Sequence, residues 1–186
     1  MNHRESYDIE WLKGLYSSEE RLKYLFFWGH KPSLDGTITS SCLSQWYLCQ
    51  FVRDGNKFNS TQQWMMYQKA ILFNDDETSL KILESSSPGE AKALGRVVSN
   101  FDEEVWNKHR SPIVIEGNVL KFSQNPPLKE FLLNTKERVL VEASPLDEIW
   151  GVGLSKESES INDPNAWRGL NLLGFALMEV RDILKE

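Results

Sequence analysis

The stretch from Phe58 to Phe73 reads FNSTQQWMMYQKAILF, and it decides how the rest of the chain is read. Asn59-Ser60-Thr61 is a turn-like opening to a run with helical character. Trp64, Met65, Met66, Tyr67, Ala70, Ile71, Leu72 and Phe73 leave almost no solvated side. A helix that is apolar all round is a buried helix. Gln62 and Lys69 interrupt it seven residues apart, about two turns, so both project from one stripe. A buried lysine is paired, neutralised or used, which makes this helix the first place to look for chemistry. The plain alternative is a lysine that reaches solvent along its stem and a glutamine bonded to backbone.

Around this helix the chain reads as mainly helical with a few short strands. Tyr24 to Trp28 is an aromatic buried strand ended by Gly29. Asp35-Gly36 is a hairpin signal, and Asp54-Gly55 joins strands around Gln45–Phe51 and Asn56–Phe58. Leu80 to Ser85 reads as a short helical turn. Ser87-Pro88-Gly89-Glu90 is a helix start, with Ser as N-cap and Pro at the first position, and that helix runs through Ala91, Leu94 and Val97. Asp102 caps a helix through Trp106 and His109. Ile113 to Phe122 is mixed, and Pro126-Pro127 opens a helix to about Asn134. Val139-Leu140-Val141 is a buried strand. Ser155 to Pro164 reads as a polar, mobile loop, and Leu170 to Leu184 as an amphipathic helix in which Gly174 permits close packing. Tyr7 to Tyr24 reads as one or two short helices, with Ser17 and Glu20 forming a capping box.

The bulk composition narrows the function classes. A length of 186 residues supports one domain with a sizeable core, with or without an extension. A net charge of −6 argues against a wide phosphate-tracking surface, although a local basic pocket is compatible with it. Seven tryptophans favour a cleft with flat stacking faces. Cys42 and Cys49 fit no zinc spacing and have no nearby histidine, so no metal is expected and both read as reduced thiols. The N-terminal residues have no secretory pattern, and no apolar run approaches the ~20 residues of a membrane span. The expected location is cytoplasmic, with the nucleus as the alternative.

Two further clusters carry candidate chemistry. Lys92 and Arg96 lie one turn apart behind the Ser87 cap, where a helix N-terminus and two cations suit a phosphate; a solvated basic pair is the plain alternative. Glu142, Asp147, Trp150 and Gly151 follow the Val139 strand. Paired carboxylates beside an aromatic suit glycosidic cleavage, in which one carboxyl moves protons near an oxocarbenium-like centre. Helix-capping acids and a core tryptophan explain the same residues without chemistry. Ser144 lacks an evident histidine partner, which weakens a serine-hydrolase reading.

Four ordered segments, FNSTQQWMMYQKA, SSPGEAKALGR, LLNTKERVLVEASPLDEIWGVGL and AWRGLNLLGFALMEVR, together resemble the YbiA-like or NADAR family. FFWGH and CLSQWYLCQF are similar to its eukaryotic-type members. The resemblance implies a mainly α (α+β) YbiA-like domain over residues 23–186, preceded by a helical extension over 1–22. It implies an N-glycosidase needing no cofactor and no obligatory protein partner. The substrate expected is ADP-ribosylated guanine, as nucleobase or in DNA, and the product ADP-ribose. The lysine of the family's QKA motif corresponds to Lys69, expected to form an imine with the opened ribose. Glu142 and Asp147 carry over as acid/base or ribose ligands. Trp150 and Gly151 carry over beside the sugar or base, Lys92 and Arg96 near phosphate, and Trp28, Gly29, His30 and Trp64 around the pocket. One departure matters: the family usually has Glu where this chain has Gln62, and Gln cannot ionise. An ADP-ribose-binding module with impaired turnover, and a hydrolase of riboflavin-pathway ribosylamines, are therefore the competing readings.

Overall fold

The computed structural model describes residues 7–18 and 21–185. Its elements in order are α1 (Ile9–Ser17), β1 (Tyr24–Phe27), β2 (Phe51–Arg53), β3 (Asn56–Phe58), α2 (Thr61–Leu72), α3 (Asp76–Glu84), α4 (Pro88–Gly95), α5 (Glu103–Gln124), α6 (Pro126–Leu133), β4 (Val139–Glu142) and α7 (Leu172–Lys185). Short 3₁₀ turns span Ser40–Leu43 and Pro164–Ala166. The fold is mainly helical with small β elements. The chain groups into two units, one of residues 29–130 and one of 1–28 with 131–186.

In the unit of residues 29–130, α2 is the central helix and packs on α3, α4 and α5. Ser60 caps it, its hydroxyl accepting from Gln63 N at 3.2 Å. Ahead of it stands the β2–β3 hairpin, in which Phe51 opposes Phe58 and Arg53 opposes Asn56. Asp54 and Gly55 both have positive φ, 49° and 80°, the geometry of a two-residue type I′ turn. That register sets Phe51 and Phe58 in a stack 5.6 Å apart, and Trp64 meets Phe58 edge-on at 5.1 Å.

Gln63, two places into α2 from Thr61, fastens this core. Its amide nitrogen donates to the carbonyls of Ile82 (2.9 Å) and Ser85 (3.3 Å), while its oxygen accepts from Asn59 N at 2.8 Å. Buried polar groups are tolerated when they are bonded in this way.

Several expectations shift here. Asp35-Gly36 does make a turn, with Gly36 N donating to Ser33 O at 3.2 Å, but no strands flank it. The second hairpin strand begins at Phe51 rather than near Gln45. The short turn expected at Leu80 is the end of α3, which Asp75 caps from Thr78 N onward. α4 stops at Gly95, short of Val97. The segment from Asp102 to Phe122 is one 22-residue helix. Pro112 and Gly117 disguised that continuity, because both disfavour a helix interior. Trp64 explains Gly117: a Cβ there would lie 2.3 Å from Trp64 Cδ1, so only glycine admits the indole.

In the other unit β1 and β4 pair in parallel, Tyr24 with Val139 through Phe27 with Glu142. α7 covers β4. Asn171, with φ of 52°, satisfies the free edge of β4: its amide donates to Leu140 O at 2.9 Å and accepts from Glu142 N at 3.0 Å. Gly174 then sits so close that a Cβ would fall 2.1 Å from Leu140 O, as its sequence context led us to expect.

α1 packs in this same unit, with Trp11 edge-on to Phe175 and Tyr7 OH donating to Asp182 at 2.6 Å. Ser17 closes α1, its hydroxyl donating back to Lys13 O, so it opens no capping box; Glu20 lies outside the described residues. The Ser155–Pro164 segment is a series of bonded turns, pinned by buried Ile161, whose carbonyl accepts from Trp167 Nε1 at 2.8 Å. Among the described residues no helix is long and apolar enough to cross a membrane.

Candidate active site

α2 places Gln62 and Lys69 on the same helix, but in different surroundings. Gln62 is 4% exposed; its backbone N–H donates to Gln45 O at 2.9 Å, and its side-chain amide makes no hydrogen bond among the described residues. Lys69 is half-buried. Its Nζ donates to Gly95 O at 2.7 Å, lies 4.2 Å from the Phe101 ring centre and 5.7 Å from that of Trp106. No carboxylate pairs with it among the described residues. Burial therefore pushes its pKa below the ordinary lysine value, toward the neutral, nucleophilic amine. Gly95, whose carbonyl is the acceptor in this cradle, is the last residue of α4 and packs directly on Met66.

The same unit builds an aromatic platform that the sequence reading passed over. Trp46 faces His30, with ring centres 5.6 Å apart, and Lys92 Nζ stands 5.7 Å from its ring. Gly89 brings the start of α4 within 3.7 Å of the same indole. The signal was present in CLSQWYLCQF, where Trp46 is only half-buried among buried neighbours, but exposure is not written in a linear pattern. Arg96 is exposed just beyond the last turn of α4. The amides at the start of α4 are partly taken: Ser87 Oγ accepts from Glu90 N, and Glu90 reaches back to Ser86 N at 2.8 Å.

Trp64 is 1% exposed and its Nε1 donates to Ile113 O at 2.9 Å, so it packs in the core. Its large apolar surface and its one N–H are both satisfied there.

In the other unit the acidic loop is closely knit. Asp147 Oδ1 accepts from Ile149 N (2.9 Å) and Trp150 N (2.7 Å), while its second oxygen has no hydrogen bond among the described residues. Val152 N returns to Glu142 O, and Gly153 N to Asp147 O. Gly151 is glycine for a steric reason, since a Cβ would lie 2.9 Å from both the Asp147 and Glu142 carbonyls. Glu142 and Trp150 are half-buried. Ser144 is buried, its hydroxyl accepting from Leu146 N. Trp28 is 60% exposed just after β1, and Gly29 follows with φ of 84°. Among the described residues no group of three or more His, Cys, Asp or Glu is arranged to hold a metal ion.

A mainly helical fold carrying an unpaired, desolvated lysine on its central helix defines a class of site suited to nucleophilic chemistry at a carbonyl-like carbon. The chain belongs to the NADAR domain family, whose model matches residues 26–185. It is 45% identical over 166 residues to N-glycosidase R617 of Acanthamoeba polyphaga mimivirus, covering 86% of this chain and 95% of that one. It is 33% identical over 178 residues to Protein irg-1 of Caenorhabditis elegans, covering 91% and 84%. N-glycosidase YbiA of Escherichia coli (strain K12) is 29% identical over 131 residues, covering 70% and 73%. The NMR structure of E. coli YbiA matches the fold with a TM-score of 0.67 at 23% identity, covering 88% of this chain and 85% of that one.

Proposed function

We infer that this chain is an N-glycosidase that hydrolyses a ribosyl N-glycosidic bond, with ADP-ribosylated guanine as its substrate class. The glycosidase activity rests on its family and on relatives that bear that name. The observation that carries the mechanism is Lys69: desolvated, without a carboxylate partner, and held at the Gly95 carbonyl against two rings. Its neutral amine attacks ribose C1 while the C1–N bond to guanine breaks, and guanine leaves taking a proton from solvent. Ring opening turns the resulting glycosylamine into a protonated imine, with the ring oxygen becoming a hydroxyl. Water then adds to C1, releasing ADP-ribose and restoring the amine. In the unit that carries Lys69, Lys92 and Arg96 are assigned to phosphate.

The test is incubation with ADP-ribosylated guanine, as nucleoside and in DNA, with free ADP-ribose as the readout, alongside borohydride reduction. Wild type is expected to give a trapped adduct on Lys69, and Lys69→Ala to give neither product nor adduct. An adduct that persists in Lys69→Ala moves the nucleophile elsewhere. Release of a riboflavin-pathway ribosylamine base in preference to guanine replaces the substrate class.

A second reading rests on Gln62, a non-ionising amide where the family usually has a carboxylate. In that reading the chain binds ADP-ribose and turns over slowly. Calorimetry with ADP-ribose decides it: binding without turnover, with turnover restored by Gln62→Glu, supports the module, and absence of binding at millimolar ligand ends it.

A further inference from the structure

The unit that contains α1 and α7 encloses a cavity of about 380 Å³, within the usual range for small-molecule sites. Trp11, Leu15 and Met178 give it an apolar wall, and Tyr7 adds a second ring 4.9 Å from Trp11. Three cations, Arg21, Lys23 and Arg181, line the rest of it with one carboxylate, Glu137. Arg181 is 2% exposed yet lines the cavity. Its Nη1 donates to Thr135 Oγ1 at 3.0 Å and to Arg138 O at 2.8 Å, its Nε is buried without a partner, and its Nη2 makes no hydrogen bond among the described residues. Of the five N–H donors of this guanidinium, the one on Nε is buried without a partner.

Asp182 and Glu137 favour the Arg181 charge from a distance, with no direct ion pair among the described residues. Asp182 accepts from Tyr7 OH at 2.6 Å and lies 3.5 Å from Lys185, and Glu137 lies 3.4 Å from Lys185. Arg21 and Lys23 also line the cavity, and neither enters an ion pair among the described residues. Three cations thus converge on one recess in a chain whose net charge is −6.

We propose that this cavity binds an organic phosphate monoester whose body is a flat ring. The dianion answers the charge of Arg181, Arg21 and Lys23 better than a carboxylate would, and guanidinium matches phosphate oxygens in pairs. The ring lies against Trp11 and Met178. The volume admits one ring system and one phosphate, the size of a nucleoside monophosphate. Tyr7, Trp11, Arg21 and Lys23 precede the family-matched residues 26–185, whereas Glu137, Met178 and Arg181 lie within them.

The experiment titrates the full chain with AMP, adenosine and inorganic phosphate, reading calorimetry together with the NMR shift of the Met178 methyl group. AMP is expected to bind with a Kd below about 1 mM at low salt and to move the Met178 signal, with adenosine and phosphate at least about tenfold weaker. The exposed double variant Arg21→Gln, Lys23→Gln avoids disturbing the buried Arg181 and should weaken AMP about tenfold, while Lys69→Ala should bind as wild type does. A Met178 signal that stays fixed at about 10 mM AMP overturns the proposal, as does AMP affinity unchanged in the double variant. Phosphate that binds as tightly as AMP overturns it too, reducing the cavity to a generic anion site.

Discussion

Replacing Lys121 by methionine tests how a fully buried amine behaves in this fold. Lys121 lies on α5 with 0% exposure, and its Nζ donates one hydrogen bond, to Ser44 O at 3.0 Å. Around it are the rings of Phe122 at 5.1 Å and Tyr47 at 5.6 Å and the thiols of Cys42 and Cys49, with no carboxylate paired to it among the described residues. The Cys42 thiol is itself pushed up to about 12 by burial and stays neutral. Burial likewise pushes the Lys121 pKa down.

The sign of the pH effect follows. The unfolded chain holds this proton up to about pH 10.4, whereas the folded protein releases it at lower pH. Between those two values the unfolded state binds more protons, so stability rises with pH through that window. Lys121 therefore costs stability at neutral pH, about 1.4 kcal/mol for each unit of depression. Methionine keeps the length and removes the charge. It gives up one hydrogen bond worth about 1 kcal/mol, but Ser44 O keeps its bond from Tyr47 N at 3.3 Å.

The net expectation is that Lys121→Met stabilises by about 1–3 kcal/mol at pH 7, a rise in Tm of roughly 2–4 °C per kcal/mol at this size. The advantage should shrink as pH climbs toward about 10. Urea unfolding of both proteins at neutral and alkaline pH measures it. A variant less stable at neutral pH, or a difference that ignores pH, would refute the account of Lys121 as a charge held at a cost.

Three further outcomes follow from the site and the fold. The rising limb of kcat/KM against pH should fall below the ordinary lysine value near about 10.4, because Lys69 is desolvated, and a limb at that value would mean the amine is not activated by burial. Trp46→Ala should weaken ADP-ribose binding by about 1–3 kcal/mol if the indole is a stacking platform, measured by calorimetry with unfolding curves as a control; unchanged affinity removes it from the site. Gly174→Ala should destabilise by at least about 2 kcal/mol, because a Cβ would press on the Leu140 carbonyl and no flexible side chain can yield, and thermal unfolding checks it.

The sequence by itself determined the elements whose cause is local. Ser87-Pro88 and Asp102 start α4 and α5 because capping needs only a neighbouring side chain, and Asp54-Gly55 turns the hairpin because both positions must take positive φ. It also marked α2 as buried and Lys69 as its anomaly. Tertiary packing decided what periodicity cannot carry. α5 continues through Pro112 and Gly117 because the Trp64 indole, supplied from α2, fills the space beside Gly117. Packing likewise set Trp64 in the core and brought Trp46, which no spacing distinguished, beside His30 and Lys92. Lys69 was legible as a lysine in the wrong place. That its partner among the described residues is the Gly95 carbonyl depends on where α4 ends against α2, a distance between segments that no linear pattern encodes.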